Sequence, residues 1–338
     1  MMEISHDTKN IQLTSGEIAE LFNSYLSNSA STWVLSYLEK NAQDPEIKSA
    51  VKKFIDTSKL ADEQIAAIFK TINHPIPKGF SVEDVNLNAP SLYSDKFILI
   101  FIKYMARYGL VNYSEARASC SRSDVRAFFN QTIQSTLALL EMADNLLLNK
   151  GLFIKEPSVP IPDRIDFVEK QSFLKGFFGE KRPVNVAEID RLYFNYNMNA
   201  LGKAFLIGLC QTTQNPIIKD YLMRGKNIAE KHTDSISAIL QKDDLPIPES
   251  LDSEVTASTA MVFSDKLMTF FVVSLNSMGI GTNGLSLSRV MRRDISLAIT
   301  RFMTEIALYS EDGLNLMIDN GWFERIPEAA DRKELIGN

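Results

Sequence analysis

Apolar residues recur along this chain in steps of three and four, and the whole pattern runs twice. The clearest stripe is Ile47, Val51, Phe54, Ser58, Ala61, Ile65, Ile68 and Ile72, the spacing of a helix that turns one face into a bundle. Before it, Ile18, Leu21, Phe22, Tyr25, Trp33 and Tyr37 predict a helix to about Asn41, with Ser29, Thr32 and Ser36 at intervening stripe positions. Thr14-Ser15-Gly16-Glu17 is spelled as a capping box at its start. Asp44-Pro45 opens the second helix and His74-Pro75-Ile76-Pro77 ends it, since each proline pushes its predecessor out of the helical region. A third helix is predicted from near Ser91, carrying Phe97, Ile100, Phe101, Tyr104 and Tyr108 inward. A fourth, from about Arg122 to Lys150, uses Val125, Phe128, Thr132, Thr136, Leu139, Ala143 and Leu147, and stops at Gly151.

Little periodicity holds between Asn73 and Pro90. That stretch can extend to roughly 60 Å, longer than the roughly 39 Å of a 26-residue helix. It can therefore traverse a whole bundle, the long crossover of a ferritin-like arrangement.

The second half restates the first by subtraction. Glu188 lies 171 residues after Glu17, Asn215-Pro216 lies 171 after Asp44-Pro45, and Pro246-Ile247-Pro248 lies 171 after Pro75-Ile76-Pro77. Beyond the crossover the offset is 170, relating Ser264-Asp265-Lys266 to Ser94-Asp95-Lys96, and Gly279, Asp294 and Gly321 to Gly109, Asp124 and Gly151. One residue is lost within a loop, where loss is cheap. The prediction is an all-α protein of two tandem ferritin-like four-helix bundles: an N-terminal arm over 1–13, a first bundle over 14–156, a linker over 157–184 and a second bundle over 185–338. The linker phenylalanines 167, 173, 177 and 178, with Leu174, predict an amphipathic segment docked across both bundles.

Composition narrows the function. The net charge of −6 disfavours the broad basic surface of a nucleic-acid binder. Two cysteines, Cys120 and Cys210, fall at non-equivalent places, so no disulfide framework is expected and a reducing, cytoplasmic setting fits. The N-terminus lacks the pattern of a signal peptide, and FILIFI at 97–102 and FFVVSL at 270–275 are too short to span a membrane.

A dimetal carboxylate centre would need Glu-x-x-His on each of two helices. His6 follows Glu3 at that spacing but lies in the arm; His74 and His232 have Thr71 and Ala229 at the glutamate position. No metal or cofactor is expected, and no catalytic residue is assigned. His232 aligns with Ala61 on the seam, so it points into the second bundle, where Tyr196, aligned with Tyr25, is a conceivable neighbour. These two are the candidate ligand-facing residues; the plainer reading of His232 is a hydrogen-bonded core histidine. Asp95, Asp265, Asp124 and Asp294 read as first-turn acids favoured by the helix dipole. Arg289, Arg292 and Arg293 read as a solvated helix-end patch, and Gly279-Ile280-Gly281 as a helix break.

The linker FVEKQSFLKGFFGEKRPVNVAEI, set between four-helix units with Pro-Ile-Pro in both crossovers, resembles a family of unknown function from endospore-forming bacteria. Its members look like tandem ferritin-like bundles and carry the label spore coat protein by likeness to the coat protein F group. The resemblance runs from about residue 14 to 332 and brings no catalytic or binding motif. It implies a non-enzymatic structural or protein-interaction role, with spore coat components or further copies of this chain as partners. The alternatives are a helical module binding a small ligand near His232 and, last, a metal-carboxylate oxidase.

Overall fold

A computed structural model describes residues 11–177 and 179–337. The first repeat holds α1 (Ser15–Asn41), α2 (Pro45–Thr71), α3 (Asp95–Ser119) and α4 (Ser123–Asn149); the second holds α5 (Val186–Thr212), α6 (Pro216–Gln241), α7 (Asp265–Leu287) and α8 (Arg293–Asp319), followed by a short α9 (Arg332–Ile336). The chain is all-α. Both capping boxes form as spelled, at Thr14/Glu17 and Asn185/Glu188, and Asp44 and Asn215 cap helices that begin with proline.

Capping chemistry also sets the helix directions. Asp95 accepts hydrogen bonds from the Gln43 and Asp44 backbone N–H groups at 3.0 and 2.6 Å, tying the start of α3 to the start of α2. The two helices therefore run the same way, and their connection crosses the length of the bundle. At the opposite pole Glu17, fully buried, accepts the Ser121 and Arg122 backbone N–H groups at 2.8 and 2.7 Å besides closing its own cap. One carboxylate thus satisfies orphan donors near the starts of both α1 and α4.

Arg122, also fully buried, forks onto Asp124 and bonds the Ile11 carbonyl and the Thr71 hydroxyl. Its counterpart Arg292 is 2% exposed and grips Asp294, Asp243 and the Arg182 carbonyl. Arg292 is thus no part of a solvated patch, because the guanidinium is what joins the α7–α8 corner to its neighbours. Asp124 and Asp294 serve these arginines as well as their helix dipoles. Of the expected arm, residues 1–10 lie outside those described, while Leu13 is buried in the core.

The third helix starts at Asp95 rather than near Ser91, with Ser94 as its cap. The residues before it are taken by the other repeat. Asn86 N–H bonds the Val262 carbonyl at 2.7 Å and Ser94 N–H the Glu254 carbonyl at 2.9 Å; in return Thr256 N–H bonds Leu92 at 3.0 Å and Ser264 N–H bonds Asp84 at 2.8 Å. Every bond maps onto its partner through the 170-residue offset, so the crossovers pair across a pseudo-twofold axis. Beside them α1 packs on α7 and α3 on α5, and one apolar core runs through both repeats, with a separate apolar cluster at each far pole.

The linker does not dock as an amphipathic helix. Its one regular piece is a 3₁₀ turn at Gln171–Leu174; Phe167 is 88% exposed, and Ile161 and Ile165 stand out as well. Phe173 lies under the Arg182 guanidinium, and the buried Gly176 passes so close to the Asp294 backbone that a Cβ would strike it. The segment is an extended strap: its N-terminal half turns Ile161, Ile165 and Phe167 outward, and its C-terminal half is held to the second repeat by Gly176, Lys181 and Arg182. Phe178 lies outside the described residues. Nor does α7 break at Gly279, since its turns continue to Leu287.

Candidate functional site

Halfway along each bundle, polar side chains interrupt the apolar core, and the two repeats resolve this interruption in opposite ways. In the second repeat it is filled. His232, aligned with Ala61, is fully buried; its Nδ1 lies 3.1 Å from Asn199 Oδ1, its Nε2 lies 3.0 Å from Glu305 Oε2, and its ring packs on Phe302 at 4.1 Å. Burial, against the pull of Glu305, lowers its pKa to about 4; the neutral ring has one N–H and so donates to only one of these two acceptor oxygens. Tyr196 is not among its hydrogen-bond partners and sits in the far-pole apolar cluster. The space left beside this layer, bordered by Asn199, Asn283 and Ile306, is only about 100 Å³.

In the first repeat the same level is hollow. Ala61, Thr132 and Thr136 stand where the second repeat has His232, Phe302 and Ile306, and a cavity of about 470 Å³ borders them. Rim residues such as Glu20 and Glu115 leave it open to solvent, so the space is not a sealed void. It is therefore a space for water or a solute, within the range of small-molecule sites.

Its walls carry polar groups with capacity to spare. Asn28, the counterpart of Asn199, is 5% exposed; its Oδ1 accepts the Tyr113 hydroxyl at 2.8 Å, and its Nδ2 has no partner. Thr132 and Thr136 donate to carbonyls one turn back in α4, which fixes their hydroxyls without exhausting the oxygen lone pairs. Behind Asn28, Asp62 has one enclosed carboxyl oxygen without a partner, and burial pushes this acid up to about 8 while the Asn28 amide opposes the shift without closing a hydrogen bond. At the rim stand Glu20 and Glu115; burial and then the Glu115 charge raise the pKa of Glu20.

The second repeat closes this cavity from outside. Phe270 and Ser274 of α7, Met317 of α8 and the Trp322–Glu324 segment complete its wall. Glu324 accepts the Lys78 and Gly79 backbone N–H groups at 2.8 and 2.7 Å. Lys266 donates to the Gly79 carbonyl at 2.8 Å and lies over the Phe80 ring. Gly79 has φ +62°, and a Cβ there would strike the Ser29 hydroxyl, so glycine is required where the crossover passes over α1.

Other candidates have structural duties. Both cysteines are free and buried, and burial raises each thiol to about 11, away from the reactive thiolate. His74 stacks on Phe69 and contacts the Pro75 carbonyl; His6 lies outside the described residues. Asp265 receives the Asn215 amide and the Thr213 hydroxyl. Among the described residues, no three His, Cys, Asp or Glu side chains gather as a metal-binding group, and no helix is long and apolar enough to cross a membrane. The cavity residues Asn28, Thr132 and Thr136, and Asp62 behind Asn28, are not among the sequence-based candidates. Their one legible signal is the loss of bulk in one repeat against the other.

A family profile matches the chain twice, over residues 2–165 and 172–335. The chain belongs to the DUF3231 family, described as proteins of unknown function. A crystal structure from Bacillus halodurans C-125, described as a putative spore coat protein, is similar at 18% identity, covering 46% of this chain and 100% of its own, with a TM-score of 0.42. That likeness carries no argument about role. No curated protein matches the chain.

Proposed function

We propose that this DUF3231 protein is a non-enzymatic binding protein that holds a small organic molecule in its first repeat, while the second repeat serves as packed partner and lid. The observation carrying this reading is the hollow at Ala61, Thr132 and Thr136, at the level the second repeat fills with His232, Phe302 and Ile306. This moves the ligand-binding alternative away from His232, whose ring is already engaged on two edges and one face. The test compares the full chain with the T132F/T136I variant, which carries the second repeat's residues. Native mass spectrometry and a thermal-shift panel of small amphipathic molecules should show adducts and stabilisation that the variant loses. Equal behaviour of both proteins would remove the reading.

A second reading rests on the strap. Ile161, Ile165 and Phe167 are 92%, 84% and 88% exposed on one short segment, three large apolar side chains that no described residue of this chain covers. It favours a protein-interaction role, with further copies of this chain or, by the family resemblance alone, spore coat components as partners. Sedimentation of the full chain beside the I161S/I165S/F167S variant tests self-association. Identical monomeric behaviour would remove that part.

A further inference from the structure

The hollow of the first repeat and the small space beside Asn199 in the second are counterparts across the pseudo-axis. Asn28 and Gly109 border the first, and Asn199 and Gly279, their equivalents by offset, border the second. Each space reaches the junction of the repeats, where a helix of the other repeat adds to its wall: α3 with Tyr104 for the second, α7 with the equivalent Ser274 for the first. The seams outside them differ. Between α3 and α5, Phe194 is only 6% exposed; the Arg107 guanidinium lies over its ring at 4.0 Å, that of Arg191 at 5.4 Å, and the Tyr104 ring is 6.3 Å away. Two cations and an aromatic ring stacked in this way plug the seam. Between α1 and α7 the equivalents of Arg191, Phe194, Tyr104 and Arg107 are Glu20, Asn23, Ser274 and Ser277, and all four line the cavity of about 470 Å³. Asn23 and Ser277 are exposed as well, so the same residues border both the hollow and solvent.

From this contrast we propose that the α1–α7 seam is the portal of the cavity, through which a small organic molecule passes between the repeats, with Asn23 and Ser277 at its threshold. The proposal rests on the binding reading above and adds the route by which the ligand enters and leaves. A seam filled by two guanidinium groups and a phenyl ring opens only when packed side chains move together. An amide and two hydroxyls leave the way clear without such motion. The Ser274 and Ser277 hydroxyls donate to the Phe270 and Val273 carbonyls one turn back, which keeps them on their own helix and out of the gap. A mouth at the junction of two structural units is also a common setting for small-molecule sites. The plugged α3–α5 seam meanwhile holds the repeats together on the other side of the axis, so exchange of ligand needs no separation of the two halves.

The test is chemical access to a thiol placed at the cavity wall, a readout independent of the ligand's identity. T136C is introduced into the full chain, and its reaction with methyl methanethiosulfonate is followed by intact mass, with the unsubstituted chain as the blank for Cys120 and Cys210. The thiol should be modified in the folded protein. E20R/N23F/S277R builds the plug of the other seam into this one and should slow that modification by about tenfold or more, because the reagent then waits for a local opening. N23F alone, at an exposed helix position, should slow it in the same direction and serves as the test if the triple variant does not fold. Unchanged rates in the folded variants would overturn the portal and leave the binding reading in place. A T136C thiol that stays unmodified in the otherwise native chain would overturn both.

Discussion

Asp62 and His232 show how the diverged repeats write opposite pH dependences into one molecule. Between about 4 and 8 the folded Asp62 holds a proton that the unfolded chain, with an ordinary carboxyl, has released; its contribution therefore falls as pH rises through that window. D62N should stabilise the protein at pH 8 by on the order of 3 kcal/mol, after discount for partial exposure, read as a rise in urea midpoint that vanishes near pH 4. His232 behaves the other way. Between about 4 and 6.5 the unfolded chain carries a proton that the buried ring refuses, so stability falls as pH drops, by about 3 kcal/mol over the window. H232N should flatten the slope between pH 5 and 6.5, and an unchanged slope would show that the ring is not the titrating group. The inward direction of His232 was legible from its alignment with Ala61. Its partners were not, because Asn199 and Glu305 sit 33 and 73 residues away in sequence and only packing brings them to the ring.

At the scale of elements, the corners are the fixed points. Glu17 and Arg122 join the α3–α4 corner to the start of α1 and the end of α2, and Glu188 and Arg292 repeat the scheme with one addition, since Arg182 from the strap grips Glu188 with both nitrogens. R122A leaves Asp124 and a half-built corner behind and should cost about 3–5 kcal/mol, as for removal of one partner of a buried pair, measured as a drop in denaturant midpoint. A capping-box spelling announced Glu17, but it announced a local role; that the same carboxylate also holds a corner 104 residues away depends on how the helices meet. Contact between α6 and α8 follows a similar logic. Tyr221 lies on Gly313 and Tyr309 on Gly225, the rings stacked at 4.4 Å, so each glycine admits a tyrosine from the facing helix. G225A should force Tyr309 aside and destabilise by about 1–3 kcal/mol, visible as a lowered Tm.

For the whole molecule, the pairing of the repeats is the governing fact, and it is symmetric in backbone while exchanged in bulk. Tyr37 of the first repeat meets Phe263 of the second edge-on at 5.4 Å. Across the pseudo-axis the corresponding pair is Gly208 and Tyr93, whose ring fills the space over the glycine and whose hydroxyl reaches the Phe205 carbonyl at 2.7 Å. A side chain at 208 would strike the Tyr93 ring, so glycine there is what seats that tyrosine. G208A should loosen the repeats: a second, earlier unfolding step in calorimetry is expected where the native chain melts in one, and a single transition at unchanged Tm would count against a coupled core. The same pairing makes the cavity what it is, since part of the wall of the first repeat belongs to the second.

The sequence by itself determined the helices, their caps and the long crossovers, because each is written in near-neighbour chemistry, in three- and four-residue periodicity, capping spellings and prolines; the doubling shows as an offset of 171 residues that becomes 170 after the crossover. Only the tertiary structure decided that the crossovers pair with each other, that the strap stays exposed, and that the hollow lies in the first repeat rather than beside His232. Those outcomes turn on volume and hydrogen bonding between residues 60 to 250 positions apart. A threonine on a stripe reads the same whether its neighbour is a phenylalanine or open space.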